Sequence, residues 1–222
     1  MRRFDFPVDR AHAHAVNEVS AAVCRMRIAA GAAASVGAAG TAALIWVDHP
    51  WTYLLSVAFA LATVIALWAV WWIPHRSGID RLYRDGELVP AVVSQTYPSG
   101  VVLLALVDLA RPDSPGPRRY ALITKKVREL PGHIAKTGER VPAVAVRADR
   151  APGIGERWQT VSAMPIAWGT RDQRVIERAR AAIGETEWRL LTDNLELTDK
   201  VRHSSARRLL LDPQGLPGDL GA

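Results

Sequence analysis

Two long apolar runs near the amino-terminal end dominate the pattern of hydrophobic and polar positions. Residues 28–47 and 51–73 contain no charged side chain, and only Asp48, His49 and Pro50 separate them. About 20 residues of helix, at a rise of 1.5 Å each, cross a hydrocarbon core of about 30 Å. The pattern therefore predicts two transmembrane helices, and so short a link makes them antiparallel neighbours.

The first run differs from the second in being rich in alanine and glycine. It is therefore less hydrophobic, and a buried helix of a soluble protein is the alternative when this run is taken alone. Small residues let helix backbones approach closely, which drives association where lipid offers no hydrophobic contrast. We expect this helix to pack on the second helix, or alternatively on a homodimer partner or another membrane protein. Two stripes of small residues would form the contact: Ala29, Ala33, Gly37 and Thr41 in one, and Gly31, Ser35, Ala39 and Ala43 in the other.

The charges that flank the two runs predict their orientation. Arginines precede the first run and follow the second, whereas the connecting loop has none. By the positive-inside rule, both termini are cytoplasmic and the protein is a multi-pass protein of the plasma membrane, with residues 1–27 as a cytosolic tail. Aromatic residues agree with this orientation, because Trp46 and Trp51 mark the outer interface and Trp71 and Trp72 the inner one.

Residues 77–170 are predicted to form a β-rich cytosolic domain. Short apolar runs alternate with turns that contain proline and glycine, mostly at hairpin length. Five short strands connected in this way indicate a small closed or nearly closed β-barrel of the OB or SH3-like kind. The predicted strands cover residues 88–97, 101–109, 120–124, 141–147 and 158–166.

A helical segment is predicted over residues 171–205. Thr170 and Gln173 have the spacing of a capping box, in which a hydroxyl and an amide satisfy first-turn backbone groups. Apolar residues then recur at helical spacing, namely Val175, Ile176, Ala179, Ala182 and Ile183. The fold class is thus a membrane helical hairpin plus an α+β soluble domain, and the polar residues 206–222 are predicted to be a disordered tail.

Trp168, Gly169 and Thr170 mark the predicted junction of barrel and helix. A tryptophan at such a junction is expected to pack the helix onto the barrel, and stacking on a ligand is the alternative. The junction is therefore interpreted as structural.

The charge balance favours a membrane surface over nucleic acid. The chain has 28 Lys and Arg against 22 Asp and Glu, a net charge of +6. No array of basic and aromatic residues accompanies the excess, so membrane lipids are expected partners and nucleic acid is not. Cys24 is the one cysteine, so the chain has no intramolecular disulfide, which fits a reducing compartment.

The sequence contains no recognisable catalytic motif. A nucleophile elbow, a zinc-protease helix and a Walker lysine motif are all missing. His12 and His14 would lie on different faces of a helix, and no cysteine or further histidine is near them. We therefore predict no catalytic residue, no cofactor and no metal site.

Several segments carry a resemblance to known families. After the two apolar runs come LYRDGELVPAVV, RRYALI, LPG and GERVPAVAV. This order resembles a broad group of bacterial two-helix membrane proteins with a small β-domain. More narrowly, AMPIAWGT, joined to an amphipathic helix, looks like an actinobacterial membrane-protein family of unknown function. The resemblance covers about residues 40–195 and implies turns and packing, but no catalytic residues.

The leading functional hypothesis is a non-enzymatic membrane-anchored module that binds a protein partner or organises a complex. The alternative is an enzyme, or a subunit of one, in cell-envelope or lipid metabolism. That alternative predicts a cleft in which titratable side chains converge with perturbed pKa values.

The predicted orientation puts Asp48 outside the cell. An Asp48→Cys substitution in a Cys24→Ser background should react with a membrane-impermeant maleimide on intact cells, because the loop faces outward. Gel-shift analysis of the labelled protein measures this reaction. Labelling that requires permeabilised cells would reverse the orientation.

Overall fold

The structure is a computed structural model that describes residues 2–16, 18–47, 49–76, 78–110, 118–148, 160–204, 207–212 and 216–217. The chain divides into two compact units, one of residues 17–79 and one of residues 1–16 together with residues 80–222. The helices are α1 (Arg10–Val16), α2 (Glu18–Trp46), α3 (Pro50–Arg76), α4 (Ile79–Asp85), α5 (Gln173–Ala181), α6 (Glu185–Asp193) and α7 (Thr198–His203). The strands are β1 (Glu87–Tyr97), β2 (Gly100–Asp108), β3 (Tyr120–Val127), β4 (Arg140–Ala148), β5 (Thr160–Pro165) and β6 (Arg208–Leu210).

Helices α2 and α3 form the first unit, an antiparallel hairpin. Each contains a span long and apolar enough to cross a membrane, Cys24–Trp46 in α2 and Pro50–Trp68 in α3. Only 11% and 6% of their most apolar windows are buried, unlike the core helix of a soluble protein. The apolar side chains thus face outward, as the surface of a membrane helix requires, and indicate membrane association.

Close backbone approach between α2 and α3 occurs at two glycines. A side chain on Gly37 would overlap Thr63 Oγ1, and a Cβ on Gly40 would lie 2.9 Å from the ring of Phe59. Ala34 is also buried, at 5% exposure. The hairpin therefore packs through small residues on α2, which is the way apolar helices associate in lipid.

The predicted packing residues are divided between two sides of α2. Gly37 is buried and Thr41 half-buried, whereas Ala29, Ala33 and Ser35 are exposed, and no atom lies within 4 Å of a Cβ built on Gly31. The face toward α3 follows alternating steps of four and three, through residues 30, 34, 37, 41 and 44. Strict steps of four drift around a helix of 3.6 residues per turn, whereas alternating steps stay on one face.

The predicted interface tryptophans lie on the outside of the hairpin. Trp46, Trp51 and Trp71 are 89%, 71% and 60% exposed, respectively. The side chain of Trp72 lies outside the described residues. Their role at the two membrane interfaces stays a prediction.

The second unit is built on a six-stranded antiparallel sheet. Its strand order is β5-β4-β1-β2-β3-β6. Contacts between β3 and β5, which are not neighbours in the sheet, show that it curls on itself. The predicted α+β class and the five predicted strands are therefore confirmed in outline. The sheet is a half-barrel with a sixth strand rather than a five-stranded closed barrel, and Trp158, included in the last predicted strand, lies outside the described residues.

The core of the unit lies on the two central strands. Residues 101–107 of β2 are all buried, as expected of a continuous apolar run flanked by neighbours on both sides. Gly100 begins β2 with φ at +130°, a value that side chains rarely adopt, beside the backbone of Val127. The β1–β2 hairpin thus requires glycine at this position.

Strand β6 corrects the prediction of a disordered tail from residue 206. Residues 208–210 pair with residues 121–123 of β3, and the Leu211 amide donates to the Tyr120 carbonyl at 3.0 Å. The three leucines that end at Leu211 supply apolar side chains, and the open edge of β3 supplies unpaired backbone groups. The proline- and glycine-rich composition begins only after this strand.

The start of α5 corrects the predicted capping box. Asp172 is the N-cap, and its carboxylate accepts a hydrogen bond from the Arg174 amide at 2.9 Å. The Thr170 hydroxyl instead accepts from the Asp172 amide at 3.1 Å. A carboxylate at a helix N-terminus is favoured by the helix dipole, so the aspartate takes the capping position two residues later.

A Gly37→Leu substitution tests the hairpin packing. The larger side chain should weaken the contact between α2 and α3 by about 1–3 kcal/mol, because it must displace Thr63. Gly31→Leu is the matched control, since its site is open. Unfolding of the full chain in mixed micelles with a rising SDS fraction, followed by tryptophan fluorescence, measures the difference. Equal loss in both variants would contradict this packing.

Candidate functional site

The N-terminal segment, residues 2–16, is the unexpected part of the β-domain. The Leu88 amide of β1 donates to the Arg2 carbonyl at 2.8 Å, and Arg3 forms a β-bridge with Glu87. Farther along, the Asp9 amide donates to the Gly169 carbonyl at 2.8 Å. The prediction of a separate cytosolic tail over residues 1–27 is therefore wrong for its described first part, because these residues are hydrogen-bonded into the domain.

Phe6 anchors this segment. Its side chain is buried at 7% exposure and meets the ring of Tyr83 edge to face, with 5.2 Å between ring centroids. The Tyr83 hydroxyl donates to the Pro165 carbonyl at 2.8 Å, and burial raises the pKa of Tyr83 far above its usual range. Gly169 leaves room for both rings, since a Cβ there would lie 2.9 Å from Tyr83 and 3.0 Å from Phe6.

His12 is a second anchor of the segment. It is buried, with Nε2 2.9 Å from the Ala167 carbonyl, while Arg171 Nε donates to its Nδ1 at 3.0 Å. This pairing requires the tautomer with the proton on Nε2, because Nδ1 must accept. Both ring nitrogens are thus used in holding residues 10–16 against the strand-to-helix junction. His14 is exposed.

The predicted junction, Trp168, Gly169 and Thr170, lies where these contacts converge. All three residues are buried, and Trp168 Nε1 donates to the Glu129 carbonyl at 2.8 Å. The ring of Trp168 has no exposed surface. These contacts fit the structural interpretation of the junction. The junction contacts the N-terminal segment as well as the helix that follows it.

A polar pocket of about 230 Å³ lies over β1 to β3, beside α6. Three carboxylates reach it, and each already has partners. Glu187 accepts from Arg2 at 2.7 Å, and Glu87 pairs with Arg147. Asp108 accepts from the backbone amides of Ala110 and Arg119, at 2.9 and 3.2 Å. The ion pairs that line the pocket therefore join separate elements of the β-domain, and the pair of Arg2 with Glu187 attaches the N-terminal segment to α6.

This pocket bears on the enzymatic alternative. A general base must be free to take a proton from a substrate, whereas these carboxylates are engaged with arginines or amides. The pocket is also lined by the buried side chains of Leu88 and Leu106. Titratable groups converge here, as the enzymatic alternative predicted. However, Glu87 and Glu187 form ion pairs with arginines, and Asp108 accepts hydrogen bonds from backbone amides.

A cluster of His133, Glu139 and Arg180 joins the β3–β4 loop to α5. Glu139 Oε1 lies 3.1 Å from His133 Nδ1 and 3.0 Å from Arg180 Nη2. Arg180 also donates to the Arg140 carbonyl at 2.9 Å. Burial lowers the pKa of His133, and the charge of Arg180 acts in the same direction, while Glu139 opposes it.

Metal ligation has no visible basis in the described residues. In that part of the chain, no group of three His, Cys, Asp or Glu side chains lies close enough to hold an ion. The expectation of no metal and no cofactor stays a prediction.

The contacts of residues 2–16 were missed because the sequence was interpreted as a tail. The sequence contains one weak signal of these contacts. Phe4, Phe6 and Val8 alternate with Asp5 and Pro7, as apolar residues do in a half-buried extended segment. The ion pairs of the polar pocket had no such signal. Their members come from four separate stretches of the chain, which only the sheet register brings together.

Comparison with known proteins establishes the family. The family described as "Protein of unknown function (DUF3239)" matches residues 75–199, more than half of the chain, and the chain belongs to it. This range contains β1 to β5 but neither β6 nor the N-terminal segment. No curated protein matches the chain.

A solved structure is also similar. The crystal structure of a "putative membrane protein" from Corynebacterium diphtheriae aligns with a TM-score of 0.51 and 39% identity, over 56% of this chain and 100% of that chain. Together with the family match, it confirms the expected resemblance to an actinobacterial membrane-protein family of unknown function.

The His133 cluster predicts a loss of stability in acid. The unfolded chain protonates this histidine near pH 6.5, whereas the folded protein does so only at lower pH. Its contribution to stability is therefore complete above about pH 6.5 and is lost as the pH falls toward the folded-state pKa.

Thermal unfolding of the full chain in neutral detergent, from pH 8 to 5, measures this effect. His133→Gln should show a shallower fall in midpoint than the unmodified protein, because the buried titrating group is gone. His203→Gln, at an exposed position, is the control. An unchanged pH dependence in His133→Gln would refute the assignment.

Proposed function

We propose that the protein is a non-enzymatic, membrane-anchored interaction module, whose β-domain binds a protein partner or organises a complex at the cytoplasmic membrane face. The observation that carries this proposal is the folding of residues 1–16 into one unit with residues 80–222. The hairpin, residues 17–79, lies in the sequence between the two parts of that unit. The domain is therefore connected to its anchor by two chain segments. A double connection suits a domain that must stay at the membrane surface while it holds a partner.

The same observation supports a topology with both termini on one side. The two parts of the β-domain are joined by backbone hydrogen bonds, such as that from Leu88 to Arg2. A folded unit of this kind cannot be divided by a hydrocarbon core, where irregular backbone finds no partners. Helices α2 and α3 then cross as a pair, and the flanking arginines favour the cytoplasm for the domain.

Contacts near the ends of the hairpin support this double connection. Arg10 in α1 donates to Asp80 in α4 at 2.8 Å, so the segment before the hairpin and the segment after it are linked within the β-domain. An exposed ion pair contributes only up to about 1 kcal/mol. The burial of Phe6 and His12 therefore supplies most of the attachment.

Binding rather than catalysis is favoured by the use of the polar groups. The carboxylates of the polar pocket stabilise the attachment of Arg2 and the end of β1, and none is left poised for proton transfer. Membrane lipids would contact the exposed apolar faces of α2 and α3. The exposed small residues of α2, Ala29, Ala33 and Ser35, would suit a homodimer or another membrane protein.

Affinity purification from detergent extracts tests the proposal. The full chain should repeatedly retain the same partner, whereas a hairpin of residues 17–79 at equal expression should not, because the partner binds the β-domain. Chemical cross-linking before extraction measures whether the contact exists in the membrane. Failure to recover any stable partner with the full chain, with and without cross-linking, would contradict the proposal.

A further inference from the structure

A basic pocket lies at the other end of strands β2 and β3 from the polar pocket. Its volume is about 310 Å³, and it is lined by Tyr97, Val102, Thr124, Lys126, Arg202 and Arg207. Lys126 comes from β3, Arg202 from α7, and Arg207 from the turn that leads into β6. Three cations from separate stretches of the chain therefore surround one cavity whose lining contains no carboxylate.

Arg202 is held in place before any ligand arrives. Its Nη1 donates to the Tyr97 hydroxyl at 3.0 Å, and its Nη2 pairs with Asp199 at 3.1 Å. Gln95 donates to the same Asp199 oxygen at 3.1 Å. A guanidinium oriented by Tyr97 and Asp199 loses little freedom when it binds, which raises the affinity of a site.

Lys126 and Arg207 differ from Arg202 in that their side chains are not held by any neighbour that the structure describes. Both side chains are exposed, and neither has an ion pair or hydrogen bond within the described part of the chain. Arg207 also has φ at +50°, in the left-handed region that disfavours residues with a Cβ. Because Asp199 balances only one of the three cations, the pocket has an excess of positive charge with free donors.

This chemistry suits a phosphate group. Guanidinium forks match the oxygen geometry of phosphate, and an ammonium adds a mobile point charge. Thr124 supplies a hydroxyl at the pocket wall, while Val102 supplies an apolar floor. We propose that the basic pocket binds a phosphate group, carried by a lipid headgroup or free in solution. The proposal does not depend on the interaction role, since it rests on this pocket alone.

Isothermal titration calorimetry on the full chain in neutral detergent tests the proposal. One arm titrates inorganic phosphate against chloride at equal ionic strength, which controls for screening. The second arm titrates short-chain phosphatidic acid, with diacylglycerol of the same chain length, which has no phosphate, as its control. Binding of phosphatidic acid alone identifies a lipid source, and binding of inorganic phosphate identifies a free one.

Three variants locate the site. Lys126→Gln and Arg207→Asn should each weaken binding about tenfold or more, on the scale of a hydrogen bond to a charged group. Asparagine tolerates the left-handed backbone at position 207. Lys125→Gln is the matched control, because successive residues of a strand face opposite sides and Lys125 does not line the pocket.

Thermal stability distinguishes loss of the phosphate site from loss of the fold. Lys126 and Arg207 have no described partner to lose, so the thermal midpoints of their variants should equal that of the unmodified chain. Absence of binding of either probe in the millimolar range would overturn the proposal. So would equal weakening by Lys125→Gln and Lys126→Gln, since that result would indicate a diffuse surface charge.

Discussion

The packing of Phe6 against Tyr83, in the space left by Gly169, is the contact on which the organisation of the protein depends. It joins the first residues of the chain to residues that follow the hairpin, so the two segments belong to one folded unit. Hydrogen bonds at Leu88 and Gly169 extend the same attachment.

One ion pair of the β-domain follows directly from that attachment. Arg2 reaches Glu187 on α6 only because the N-terminal segment runs beside β1. The pairs made by Arg147 and by Arg180 similarly join parts of the chain that are far apart in sequence. Charged groups of this domain thus mainly hold elements together. The basic pocket differs, because the side chains of Lys126 and Arg207 have no hydrogen bond or ion pair within the described residues.

Much of the architecture was predictable from local pattern. The continuous apolar run of β2 indicated a strand buried on both faces, and all of residues 101–107 are buried. Prediction failed where distant residues supply the partner. Leu209 and Leu210 form a strand because β3 has an open edge. The start of α5 differs for a local reason: the Thr170 hydroxyl accepts from the Asp172 amide, and Asp172 is the N-cap. Neither alternative can be chosen from spacing alone.

The sequence by itself determined the two apolar helices, their short connection and the strands that follow, because hydrophobic length and period are local properties. Tertiary structure decided which small residues of α2 meet α3, since that depends on the phase of a 3.6-residue helix against its neighbour. It also decided that residues 2–16 belong to the β-domain. Phe6 and His12 are individually unremarkable in sequence, and their function in the fold exists only because Tyr83, Ala167 and Arg171 surround them.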